Sequence, residues 1–290
     1  MSKKDFQPID PAVVPRFSDI ATFLRTRRYE PSEEVDIGLV GVPFDIGLNY
    51  RSGARQGPAG VREASRLIRR VHPTSGIKPF ELCNVADLGD APVNPLNKDQ
   101  SIQLIEEFFC DLRSKEIVPI AIGGDHTIPL PILRALAVDA PVGMLHFDAH
   151  ADTLDELCGD RINHATFLRR AHEEGLVDPK RVIQIGMRGS RFDDNDIQFG
   201  YDVGYTIITM DEYEEMGRAA VIERIDEVLG QGPIYISLDI DGLDPAYLPG
   251  TGVPEIGGIL PRDAQVILRA LRGRHVVGAD ISEISPCFDP

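Results

Sequence analysis

Three short segments rich in acid and imidazole carry the chemistry this sequence offers. Gly123-Gly124-Asp125-His126 follows an apolar run at 117–122, Asp148-Ala149-His150-Ala151-Asp152 follows another at 142–147, and Asp239-Ile240-Asp241 closes a third at 234–240. Two glycines after a strand permit a tight turn that sets His126 at the strand's carboxyl edge. In extended backbone, residues i, i+2 and i+4 face one way, so alternation predicts that Asp148, His150 and Asp152 converge and that Asp239 and Asp241 do the same. Singly, each segment has an ordinary structural use, since an Asp at a strand end caps a following helix and a His after Gly-Gly sits in a loop. Gathered on one sheet edge, four carboxylates and two imidazoles would repel one another unless a cation sat among them. Six such side chains exceed the four ligands of one zinc, and an oxygen-rich, thiolate-free set favours Mn²⁺ over Zn²⁺. Two ions about 3.5–4 Å apart, sharing bridging carboxylates, satisfy the count and make water a nucleophile at neutral pH.

Eight short β-branched runs must position these groups: 35–42, 82–88, 117–122, 142–147, 181–186, 205–210, 234–240 and 275–281. Several are almost continuously apolar, the pattern of strands covered on both faces. Helix candidates alternate with them at 59–70, 99–114, 129–137, 165–174, 219–229 and 262–272. In the second, Ile102, Ile105, Phe108, Phe109 and Leu112 recur at helical spacing and form one apolar stripe. This alternation predicts an α/β fold, a three-layer α/β/α sandwich around a mainly parallel sheet of about eight strands. Ligands of such sheets gather beyond the carboxyl ends of the strands. Residues 1–33, charged and broken by proline, are expected to form an N-terminal surface segment, with 34–290 as a single catalytic domain.

Composition narrows the partners. With 42% hydrophobic residues among 290 the chain is neither disordered nor fibrous. A net charge of −16, spread along the sequence, argues against nucleic acid, which needs a basic patch. No run approaches the roughly 18 apolar residues of a membrane helix, and no apolar signal core follows the basic start. Cys83, Cys110, Cys158 and Cys287 lie far apart with neither knuckle nor disulfide spacing, which points to a reduced, cytoplasmic setting. No Gly-rich phosphate loop opens a helix, and Arg51 and Arg55 in an early Gly-containing loop are read as conformational.

The blocks GGDH (123–126), DAHAD (148–152), SLDIDGLDPAYLPGTGVPEIGG (237–258) and ADISEISP (279–286) resemble the four signatures of the ureohydrolase (arginase/agmatinase) family, over a stretch from about residue 35 to the end. YRSGARQGPAGVRE (50–63) and LRRAHEEGLVDPKRVIQIGMRG (168–189) resemble its agmatinase-like branch. The resemblance implies an arginase-like fold and two Mn²⁺ per chain, with Ni²⁺ as an alternative. One ion would be held by His126, Asp148, Asp152 and Asp239, the other by His150, Asp148, Asp239 and Asp241, with Asp148 and Asp239 bridging. Glu283 would grip the substrate guanidinium and His164 would shuttle protons. The implied substrate is a small cationic guanidino compound, agmatine foremost, split to urea and an amine by a homotrimer or homohexamer. Guanidinobutyrate, guanidinopropionate and an alkylguanidine or biguanide are the alternatives within the same chemistry. Three features depart from the family wording: Ala165 follows His164 where glycine is usual, FDIGLNY (44–50) differs from the customary loop, and the sequence stops at Pro290 where members run on through another helix. Two readings from other classes are a single-zinc, deacetylase-like amidohydrolase and a non-catalytic partner subunit. The full set of six metal-type residues opposes both.

Overall fold

A computed structural model describes residues 6–192 and 195–289 of the chain. All eight expected strands form: β1 (Ile37–Gly41), β2 (Val85–Asp90), β3 (Val118–Ile122), β4 (Val142–Phe147), β5 (Val177–Met187), β6 (Thr206–Thr209), β7 (Pro233–Asp239) and β8 (His275–Ser282). They make one sheet in the order β2-β1-β3-β8-β7-β4-β5-β6, with parallel pairing throughout. The helices are α1 (Gly57–Ala64), α2 (Pro79–Leu82), α3 (Lys98–Ser114), α4 (Pro129–Leu136), α5 (Phe167–Glu173), α6 (Asn195–Val203), α7 (Met210–Leu229) and α8 (Pro261–Ala270).

Strand periodicity sorts the core. On one face, Val142 and Met144 of β4 and Val182 of β5 pack with Ile105, Phe109 and Leu112 of α3 and with α4 and α5. On the other, Leu145, Phe147, Ile183 and Ile185 meet Val221, Ile225 and Val228 of α7 and Ile267 of α8. Successive side chains point to opposite faces, so both layers draw on the same strands, which explains their nearly unbroken apolar runs. Each fully buried side chain of this size contributes about 1.5–3 kcal/mol.

Helix boundaries moved for local reasons. The stretch expected at 219–229 begins at Met210, because Thr209 and Glu212 form a reciprocal capping box; a kink at Gly217, with φ of 75°, divides the helix. The helix expected at 59–70 ends at Ala64 and continues only as a 3₁₀ turn, Ser65–Leu67. Neither α2 nor α6 was anticipated; α2 is a single turn, and α6 shows one buried residue, Gly200, too little for a clear apolar stripe. Ahead of the sheet, residues 6–33 form no strand, yet Phe6 and Phe23 are buried and the Arg25 guanidinium donates to the carbonyls of Ile9, Val14 and Pro15. Among the described residues no helix is long and apolar enough to cross a membrane.

Candidate metal centre

The loop after β3 turns on Gly123 and Gly124, at φ of 85° and 83°. A side chain at Gly123 would run into the Pro58 ring, and a Cβ at Gly124 would lie 2.6 Å from the Val42 carbonyl oxygen. The turn delivers His126, whose backbone N–H donates to Glu283 Oε1 (2.9 Å), while the Glu283 N–H donates to the Gly124 carbonyl (2.8 Å). The loops after β3 and β8 are thereby fastened together.

Alternation along a strand does not account for the other two segments. Strand β4 ends at Phe147, and 148–152 bend away from it, with the His150 N–H returning to Asp148 Oδ1 (2.6 Å) and Asp152 at φ of 54°. Strand β7 ends at Asp239, and Asp241 lies in a 3₁₀ turn (Ile240–Gly242) that Asp239 caps by accepting from the Asp241 N–H (2.8 Å). Asp241 Oδ1 in turn accepts from the Ala149 N–H (3.1 Å), tying the two loops. Asp148 and Asp239 accept from backbone donors of their own turns and Asp241 from the neighbouring loop, and these bonds aim the three carboxylates together. Asp152 and Glu283, the latter at φ of 60°, both hold left-handed backbone that costs a non-glycine residue about 1–3 kcal/mol and gathers at functional sites.

All six metal-type residues come together. His126 Nδ1 lies 3.0 Å from Asp148 Oδ2, 2.9 Å from Asp152 Oδ2 and 3.3 Å from Asp239 Oδ2. His150 Nδ1 lies 3.3 Å from Asp148 Oδ1 and 3.2 Å from Asp241 Oδ2. The two oxygens of Asp148 thus face two different imidazoles. His126 Nδ1 and Asp148 Oδ2 are buried with no aligned hydrogen-bond partner, a state that costs about 1–3 kcal/mol per group and that a cation between them relieves. Oxygen-rich donors with two neutral-capable imidazoles and no thiolate suit hard divalent ions, so the residues present fit a pair of them.

The electrostatics point the same way. Burial drives the Asp152 carboxyl up, the charge of Asp148 adds to the rise, and it reaches about 7. Asp239 is also held well above the usual carboxylate range by burial, then by Asp241 and Asp148. Burial alone would lower His126 and His150, but contacts with the surrounding carboxylates raise both rings well above their ordinary value. Protons therefore occupy this acidic nest where divalent cations compete for the same atoms.

Glu283 joins the site from the loop after β8. Its Oε1 is pinned by His126, whereas the buried Oε2 has no partner and would lie 3.5 Å from a Cβ placed on Gly252. Burial, then the charges of Asp239 and Asp125, hold its carboxyl well above the ordinary value, so a cationic guest is what would ionise it. His164 stands half-buried with Nε2 donating to Asn49 Oδ1 (3.1 Å). Burial, then the His150 and His126 rings, depress it to about 4, well below an imidazole's usual 6.5, which leaves a neutral ring at neutral pH. Ala165 does not need glycine's freedom, because its φ is negative; its methyl simply takes space at the wall of a cavity of about 420 Å³. That cavity, lined among others by Tyr50, His150, Asp152, His164, Arg191 and Glu255, opens above the carboxylates. Arg55 pairs with the buried Asp45 and Arg51 stacks on Phe288, which supports their conformational reading.

Sequence reasoning passed over four residues that lie beneath the site. Gln184, His146, Ser237 and Asp280 are register neighbours across β5, β4, β7 and β8, all buried. Ser237 Oγ lies 2.9 Å from His126 Nε2 and donates to Asp280 Oδ1 (3.2 Å). The available signal was a polar residue inside each of four otherwise apolar runs.

Comparison with known proteins agrees with this geometry. The arginase-family profile matches residues 35–290. The guanidinopropionase of Pseudomonas aeruginosa is 48% identical over 290 residues, 100% of this chain and 91% of that enzyme. The mitochondrial agmatinase of Gallus gallus is 41% identical over 271 residues, 93% of this chain and 80% of that one. The solved structure of proclavaminate amidino hydrolase from Streptomyces clavuligerus superposes with a TM-score of 0.91 at 36% identity, covering 95% of this chain and 92% of that one. The chain belongs to the arginase family, and with it to the metal-dependent hydrolases that cleave C–N bonds of guanidino compounds.

Proposed function

We propose that this chain hydrolyses a short guanidino carboxylate, releasing urea and an amino acid, with two Mn²⁺ held by His126, Asp148, His150, Asp152, Asp239 and Asp241. The observation that carries the metal assignment is the placement of Asp148, with one oxygen towards His126 and the other towards His150. A pair of divalent cations, when bound, offsets the carboxylate charge and lowers the pKa of water towards neutrality. Glu283 Oε2 binds the guanidinium, whose planar fork of donors matches a carboxylate, and the ion pair keeps Glu283 ionised in its buried setting. With Nε2–H directed at Asn49, His164 presents a free Nδ1 that takes a proton and returns it to the departing amine. The strand-end loops and the 420 Å³ cavity hold the chain of the substrate and restrict water.

Two observations support a carboxylate at the far end of the substrate: Arg191 lines the cavity, and the guanidinopropionase is similar along the whole chain. Agmatine is the second reading, favoured by Asp196 and Glu255 on the same cavity, which suit a distal ammonium. Urea release measured with 3-guanidinopropionate, 4-guanidinobutyrate and agmatine, under Mn²⁺ and Ni²⁺ in turn, tests both substrate and metal. A kcat/KM at least about 10-fold higher for a guanidino acid, equivalent to about 1.4 kcal/mol, is expected. Preference for agmatine would give the second reading the field, and greater activity with Ni²⁺ would replace Mn²⁺. We read residues 34–290 as one catalytic domain working in the cytoplasm as a homotrimer or homohexamer, which light scattering checks.

A further inference from the structure

His146 lies two residues before Asp148, fully buried on β4, with its ring against Phe167 and beside His126. Its two nitrogens meet different partners. Nδ1 is 2.9 Å from the Gln184 amide nitrogen, and Nε2 is 3.0 Å from Asp148 Oδ2. The Gln184 amide nitrogen also donates to the Ala151 carbonyl (2.9 Å). A carbonyl oxygen only accepts, so the amide must turn its nitrogen, and not its oxygen, to this side. Nδ1 therefore receives a hydrogen bond, and the proton of the neutral ring resides on Nε2. A protonated Nε2 has no lone pair for a cation, although its position beside His126, Asp148 and Asp152 would otherwise suit coordination.

We propose that Gln184 locks His146 in the Nε2–H tautomer, so that His146 is a positioning residue that steadies the Asp148 carboxylate and does not itself coordinate metal. Nε2 and Asp148 Oδ2 lie 3.0 Å apart and neither has an aligned hydrogen bond to any group, so a small turn of the carboxylate lets it accept from the Nε2–H. Outer partners of this kind orient ligands, and their loss typically weakens metal binding about 10–100-fold. The register explains why the lock is available: Gln184 and His146 are direct neighbours on adjacent strands, pointing to the same face.

This inference rests on Asp148 serving both cations as proposed above, and calorimetric titration of metal-stripped protein with Mn²⁺ separates the two claims. Wild-type protein that takes up fewer than two ions overturns both. If wild type binds two, His146→Phe is expected to bind two as well, about 10–100-fold more weakly, with His146→Asn, which keeps an N–H donor, recovering part of the loss. Loss of one ion in His146→Phe would make His146 a ligand, and unchanged affinity would remove its role; either result overturns the proposal. Gln184→Leu leaves the ring in place, and ¹⁵N spectra of histidine-labelled, Zn²⁺-loaded protein then read the tautomer directly. A protonated Nε2 in wild type that becomes a mixture of tautomers in Gln184→Leu is expected. A protonated Nδ1 in wild type would refute the lock.

Discussion

The floor of the site and its mouth are built on different principles. On the floor, His126, Asp148, Asp152, Asp239, Asp241 and Glu283 are almost wholly buried; Asp148 and Asp239 accept from backbone N–H groups of their own turns, and Asp241 and Glu283 from those of neighbouring loops. At the mouth, Tyr50 and Phe192 are each 74% exposed, and the cavity wall there comes from loop residues such as Ser190, Arg191 and Val253. The floor cannot shift without breaking several hydrogen bonds at once, whereas the mouth can change its side chains at little cost. On the proposed function, the contrast separates the groups that carry the reaction from those that choose the substrate.

The sharpest way to break that comparison is at the floor. Asp148→Ala removes the group that faces both imidazoles, and should lower urea release by more than the about 10²–10³-fold typical of one stabilising donor. Elemental analysis should show depletion of both cations; normal metal content would reassign the bridge. Next in size is Glu283→Gln, which keeps the bond from the His126 N–H but loses the charge. About 2–3 kcal/mol of guanidinium binding should go, roughly 30–150-fold in kcat/KM, with metal content intact. Equal loss on a neutral amide substrate would contradict a guanidinium-specific role.

Without metal, the floor should also set the pH dependence of stability. Asp152 holds its proton to about 7 in the folded state against 3.8 unfolded, so its contribution is present below about 4 and is lost as pH rises through 7. The raised His126 and His150 extend the same loss above 6.5. Thermal melts of metal-free protein should therefore fall steadily from pH 5 to 9, and saturating Mn²⁺ should flatten or reverse the slope. A metal-free melt that rises over this range would mean these groups do not share protons as the geometry requires.

Smaller effects belong to the mouth. Arg191→Ala should raise KM for a guanidino acid several-fold, within the about 1 kcal/mol of an exposed ion pair, while leaving agmatine unaffected. Ala165→Gly should move the ratio of rates across a guanidine panel by less, since only a methyl group leaves the wall. Identical ratios in both variants would detach selectivity from these residues.

All eight strands were legible from apolar runs, because a parallel sheet covered on both faces demands them in every strand. The six metal-type residues were legible from their position at strand ends. The manner of their convergence was not, since the spacing of Asp148, His150 and Asp152 suggested an extended backbone where the chain in fact bends and twists into left-handed conformation at Asp152. Helix α7 began nine residues early because the Thr209 and Glu212 cap, short in sequence, outweighed the weak apolar periodicity that follows it.

What the amino-acid order determined by itself was composition at each strand end: which acids and imidazoles are present, and that a parallel sheet would carry them to one edge. Register between strands was decided only by the packed molecule. Gln184, His146, Ser237 and Asp280 lie as much as 134 residues apart in sequence, from 146 to 280, and their alignment into one buried row depends on how four strands slide against each other. Local periodicity is a property of a single strand, whereas a shared row under a metal site is set by the long-range packing that fixes all four at once.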